Sequence, residues 1–124
     1  MAPDLFQFIG NEMKTIIAGS RKITDYDRVL GIVADSGFLI TTVVCGCAIG
    51  VDTVGEDIAI DFGIPVEYYH ADWYTYGKAA GHLRNEEMAR NAEALIAIWD
   101  GRSPGTKHMI STAKQLGLKV YVGN

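Results

Sequence analysis

Three short stretches carry the residue types that hold a phosphate. They are Gly19-Ser20-Arg21, the run GCAIGVD at 46–52 and the run DGRSPGT at 100–106. Each follows an apolar segment. The second and third lead straight into an amphipathic one, and the first reaches one after a few residues. Free backbone N–H groups and the positive end of a helix dipole favour an anion at such a turn. Glycine lets the backbone approach that anion with no side chain between. Gly19, Gly46, Gly50, Gly101 and Gly105 would form the cradle, with Ser20, Ser103 and Thr106 as hydroxyl donors and Arg21 as a charge. A tight strand-to-helix connection uses the same glycines with no ligand at all. Three such turns near one point favour the ligand.

Other residues can complete a site. Gly81, Asn85, Met88 and Ala92 recur at helical spacing, so Asn85 is a polar group on an inward face and needs partners. It either bonds a loop carbonyl or meets a ligand. Its neighbour Arg84 either reaches the crevice or makes a surface ion pair. Asp52 opens a helix, where it complements the dipole or accepts from a ribose hydroxyl. Asp100 ends a strand and can orient a loop, bind a hydroxyl or act as a base. Trp73, Tyr74 and Tyr76 suit stacking on a base or packing at a subunit interface. His70, His82 and His108 have no close metal spacing to one another or to the cysteines, so no metal is expected. Neither a G-x-x-x-x-G-K-[ST] loop nor a G-x-S-x-G elbow is present.

The elements that position these residues alternate strictly. Apolar strand signals fall at 15–18, 38–45, 64–69, 94–99 and 118–122. Helical patterns lie between them, one after Thr24 or Asp25, one from Val51 to Phe62 and a third over about 78–91. The last is started by Ser103 and Pro104, with Ile110, Ala113 and Leu116 inward. Five β-α units in sequence predict an α/β fold, a Rossmann-like three-layer sandwich on a five-stranded parallel sheet. Right-handed crossovers favour strand order 3-2-1-4-5. The ligand crevice of such a sheet lies where the winding reverses, between the carboxyl ends of strands one and four. Residues 1–12 form an expected N-terminal extension bearing Leu5, Phe6, Phe8 and Ile9, with the domain over 13–124.

Charge narrows the partners. Eleven Lys and Arg against fifteen Asp and Glu give a net charge of −4, which disfavours a nucleic-acid surface. Two cysteines, Cys45 and Cys47, are too close to staple a fold, and no apolar run approaches the roughly 18 residues of a membrane span. The expected location is cytoplasmic.

Taken together, GSR, CGCAIGVD, AGHLRNEEM and WDGRSPGTKHMI resemble the YspA/YpsA-like branch of the SLOG superfamily, over about residues 14–123. That superfamily includes the cytokinin-activating LOG phosphoribohydrolases and the DNA-processing protein Smf/DprA. The resemblance implies a Rossmann-like fold, a nucleotide or ADP-ribose-like ligand, a sensing or signalling role and a homo-oligomer. The LOG pattern carries an Arg on the third helix, matched by Arg84, and a PGGxGTxxE loop. Gly105 and Thr106 match its Gly-Thr, but its Glu falls at His108, and Cys47 replaces the second Gly of a Gly-Gly turn. The resemblance therefore implies a binding module first. The alternative is a nucleotide N-glycosidase in which Arg84 works with Asp100 or His108.

Overall fold

The computed structural model describes residues 12–124. The N-terminal extension expected over 1–12 lies, except for Glu12, outside the described residues. The strands are β1 (Lys14–Gly19), β2 (Thr42–Cys45), β3 (Val66–Tyr68), β4 (Ala94–Ile98) and β5 (Lys119–Gly123). The helices are α1 (Tyr26–Ser36), α2 (Val51–Asp61), a four-residue α3 (Trp73–Tyr76), α4 (Ala80–Arg90) and α5 (Pro104–Gln115), with a 3₁₀ turn at Gly77–Ala79. All strands are parallel, and their order is β3-β2-β1-β4-β5. The α/β Rossmann-like class and the 3-2-1-4-5 order read from the sequence are thus the observed ones.

The central strands are buried on both faces, so they read as continuous apolar runs. Successive residues still part to opposite sides of the sheet. Ile16, Ala18, Leu95 and Ala97 pack with Met88 of α4 and Met109 and Ala113 of α5. Ile17, Ile96 and Ile98 pack with Val29 of α1 and Val51, Val54 and Ile58 of α2. Each fully buried Ile of this set contributes roughly 1.5–3 kcal/mol of transfer free energy. The result is a central β1–β4 pair (Thr15 opposite Ala94 through Gly19 opposite Ile98) held between two helical layers. Its carboxyl ends open where the crossovers diverge.

Some boundaries differ from the expectation. β2 begins at Thr42, not Phe38. Lys14, the first residue of β1, already lies opposite Thr42; Met13 before it still accepts from the Thr41 amide at 3.1 Å, but β1 does not extend back to pair with 38–40. The connection 37–41 instead tucks Phe38 and Ile40 against the α1/α2 core and leaves Leu39 exposed. Leu116 faces out at the end of α5, since Met109, Ile110 and Ala113 already fill its inward stripe. The third predicted helix starts at Ala80 and is preceded by α3, which Asp72 caps by accepting from the Thr75 amide at 3.0 Å. Among the described residues no helix is long and apolar enough to cross a membrane.

Candidate functional site

A cleft of about 590 Å³ opens over the carboxyl ends of β1 and β4. The loops after β1 and β4 form its floor, and α4 forms one wall. Its lining includes Gly19, Ser20, Arg21, Asp52, Arg84, Asn85, Asp100, Ser103, Gly105 and Thr106, ten of the positions singled out from the sequence. Gly46 and Cys47 line a smaller adjoining cavity of about 350 Å³. Gly50 and Gly101 line neither, and His108 stands behind the wall.

Several glycines serve chain packing. A Cβ on Gly19 would stand 2.1 Å from the Ile98 carbonyl oxygen, so β1 can leave the sheet only by grazing β4. Gly50 has φ +82° and abuts the Ser20–Arg21 backbone, while the Val51 amide donates to the Ser20 carbonyl at 3.2 Å. The loop after β2 thus braces the loop after β1. Cys47 adopts φ +63°, a left-handed conformation that explains why a Gly would suit its position.

Asp100 organises the third loop. One carboxylate oxygen accepts from the amides of Arg102 and Ser103, both at 2.8 Å. The other accepts from the hydroxyls of Ser103 at 3.2 Å and Ser20 at 3.3 Å. The Ser103 and Arg102 amides hold this carboxyl down at about 2. With four donors committed to it, Asp100 orients the loop and is no proton acceptor near neutral pH.

Ser103 spends its hydroxyl on Asp100, so no described side chain caps α5. Pro104 has no N–H, and the amides at Gly105 and Thr106 have no intrahelical partner. Both residues line the cleft, so the positive end of α5 faces it. Ser103 stands at the N-cap position expected, but its hydroxyl turns back toward the loop.

The α4 wall is built from the predicted polar pair. Arg84 Nη1 donates to the Gly46 carbonyl, and its Nε is buried without an acceptor among the described residues. Asn85 is 6% exposed; its Nδ2 lies 3.4 Å from the Gly105 carbonyl oxygen and 3.2 Å from His108 Nδ1. His108 stacks on His82 with ring centroids 3.7 Å apart. Burial, then the neighbouring His82, lower its pKa. A neutral His108 accepting at Nδ1 fixes the Asn85 amide and leaves Oδ1 as the group offered to the cleft. His108 thus stands beside Asn85 and is not among the residues that line the cleft.

Asp52 is 5% exposed at the mouth of α2, accepting from the Ala48 amide at 3.3 Å. Burial pushes its carboxyl up to about 6, against the pull of that amide and of Arg84.

Part of the wall is unmarked in the sequence. Lys22, Lys78 and Arg102 line the cleft beside Arg21 and Arg84, and Trp73 rims it. The wall thus carries five of the chain's eleven Lys and Arg and two of its fifteen Asp and Glu. Among the described residues none of the five forms a salt bridge, the ion pair present being Lys14–Glu67 at 2.9 Å. Basic residues within a few positions of each glycine turn are the signal that would have found Lys22 and Arg102. Lys78 comes from a separate turn and has no such mark.

The fold, not the site, has a known counterpart. No protein-family model matches the chain. In shape it is similar to DNA processing protein A (DprA) from Streptococcus pneumoniae, with a TM-score of 0.71 at 18% identity over 93% of this chain and 51% of that one. The chain thus spans about half the length of that protein, and the likeness is one of fold. In sequence it is 36% identical over 119 residues to the Gene 61 protein of Mycobacterium phage D29, covering 86% of this chain and 93% of the relative. The chain belongs to the family of that phage Gene 61 protein.

Proposed function

We propose that the cleft binds a nucleotide or a nucleotide-derived, ADP-ribose-like ligand through its phosphates, and that the chain is a sensor or signalling module of the YspA/YpsA-like branch of the SLOG superfamily. The observation that carries this reading is that five cations line one cleft together with the uncapped end of α5, in a protein whose net charge is −4. None of the five is spent on a salt bridge among the described residues. Concentrating positive potential in one concavity of an acidic molecule attracts a small anion. Asp52 and Asn85 Oδ1 supply acceptors for ribose or base, and Trp73 supplies a stacking face.

Thermal unfolding in the presence of AMP, ADP, ADP-ribose and cyclic nucleotides tests this. A ligand at a hundred times its Kd should stabilise by about 2.7 kcal/mol, a rise of several degrees for a domain of this size. No stabilisation by any phosphate-bearing compound overturns the reading.

One observation favours a second reading, hydrolysis of a nucleotide N-glycosidic bond. Asp52 is a carboxyl in the cleft wall that burial pushes up to about 6, toward the range that general acid-base work uses. With Asp100 held ionised and His108 behind the wall, such an enzyme would work through Asp52 and Arg84. Chromatography of nucleoside monophosphates incubated with the protein would show free base, and Asp52→Asn would abolish it. Intact nucleotide after prolonged incubation leaves binding alone.

The similarity to a DNA processing protein raises single-stranded DNA as a third occupant of the basic cleft. A gel shift that weakens steeply with salt is the signature of that mode.

A further inference from the structure

The main cleft and the smaller cavity beside it share four wall residues, Arg21, Ala48, Trp73 and Arg84. They are two lobes meeting at a waist. Two guanidinium side chains stand there, and one is pinned: the Gly46 carbonyl accepts from Arg84 Nη1, while Arg84 Nε is buried with no acceptor among the described residues. A buried donor without a partner costs free energy and calls for an acceptor from elsewhere.

The lobes differ in character. The main one holds the free amides of α5, Asn85 and the lysines. The side lobe is walled by Ile49, Ala71 and His70, with the Trp73 ring on the border. Small-ligand pockets run to about 300–1,000 Å³. At about 590 Å³ the main lobe suits a mononucleotide, and about 350 Å³ more accommodates a second ring-bearing group.

We infer that the ligand is two-headed: a diphosphate lies across the Arg21–Arg84 waist, a nucleoside fills the main lobe and a second cyclic group fills the side lobe. This rests on the proposed nucleotide function of the main cleft and goes beyond it by assigning the side lobe. Two guanidinium groups match the paired charges of a diphosphate, where a phosphodiester offers one. Beyond the two guanidinium groups at the waist, the side lobe is lined by Gly46, Cys47, Ile49, His70 and Ala71 with the Trp73 ring at its border, a mixed wall that suits a sugar or heterocycle.

Calorimetric titration of the full chain with AMP, with ADP-ribose and with ApA (two adenosines joined by one phosphate) tests the assignment. ADP-ribose should bind at least about tenfold more tightly than AMP and more tightly than ApA. Ala71→Trp, at a position that lines only the side lobe, should remove the advantage of ADP-ribose and leave AMP within about twofold of its original affinity. AMP binding as tightly as ADP-ribose overturns the two-lobed ligand and leaves the nucleotide reading standing. So does an ADP-ribose affinity indifferent to Ala71→Trp. ApA matching ADP-ribose overturns the diphosphate assignment. Absence of binding by all three overturns both readings together.

Discussion

Replacing Gly50 by alanine should destabilise the protein by about 4 kcal/mol, as read by urea denaturation. The backbone there sits at φ +82° and ψ −130°, a region that costs a residue with a Cβ roughly 1–3 kcal/mol. The new Cβ would also stand 2.4 Å from the Ser20 carbonyl oxygen and 2.5 Å from Arg21 Cα. Those are backbone atoms, so no rotamer change relieves the clash; the loop after β1 has to move, and Arg21 moves with it. Against a typical total stability of about 5–15 kcal/mol this is a large fraction. Gly63→Ala is the internal control. Gly63 also has a positive φ, +69°, but a Cβ there meets nothing within 4 Å. Its cost should stay near the backbone strain alone, about 1–2 kcal/mol. Equal losses in the two variants would contradict the bracing role given to Gly50.

Asp52→Asn should raise stability at pH 7 by on the order of 2 kcal/mol. The folded-state pKa of Asp52 lies near 6, above its ordinary 3.8, because burial penalises the charged form more than the Ala48 amide and Arg84 favour it. A pKa raised by folding means that the native state binds the proton more tightly than the unfolded chain does. That contribution is fully present below about pH 3.8 and is lost as pH rises through about 6. At pH 7 the wild-type protein therefore holds an ionised, largely buried carboxylate. Each tenfold tightening of proton binding on folding corresponds to about 1.4 kcal/mol of that cost. Asparagine keeps an acceptor for the Ala48 amide and removes the charge, though Arg84 then loses a favourable neighbour. Unfolding free energy measured from pH 4 to pH 8 should show a weaker decline in the variant than in the wild type. Parallel curves would mean that Asp52 does not titrate with folding.

Much of the fold is legible in the residues. Apolar runs such as ALIAI, bounded by glycine and helix-start signals, fix strand identity. Strict alternation with helices leaves little choice of sheet order. What escapes is decided by neighbours in space. The segment 38–40 is as apolar as a strand, but among the described residues the backbone beside it pairs no further back than Met13 with Thr41. Leu116 continues a three-residue spacing, yet Met109, Ile110 and Ala113 set the actual inward stripe. At the site, the glycine turns, Arg84 and Asn85 are readable because turn chemistry and helical phase declare them. The basic rim is readable only in part: Lys22 and Arg102 sit within a few positions of a glycine turn, whereas Lys78 comes from a separate turn with no such mark. His108 occupies the sequence position of a catalytic Glu, but the first turns of α5 set it against His82 and Asn85, one layer behind the lining of the cleft. For Asp100 the loop-orienting role stands among three readings open in the sequence, and the four donors of the folded loop are what favour it.

Phosphate should bind over the end of α5, against the loop after β1, and the proposed function stands or falls on that placement. Titrating AMP into ¹⁵N-labelled protein while following backbone amide resonances locates it. The largest shifts are expected at Gly105 and Thr106, whose amides are uncapped, and at Ser20 and Arg21 across the cleft. Shifts confined to the β3 or β5 edge of the sheet, or none at millimolar AMP, would contradict the placement.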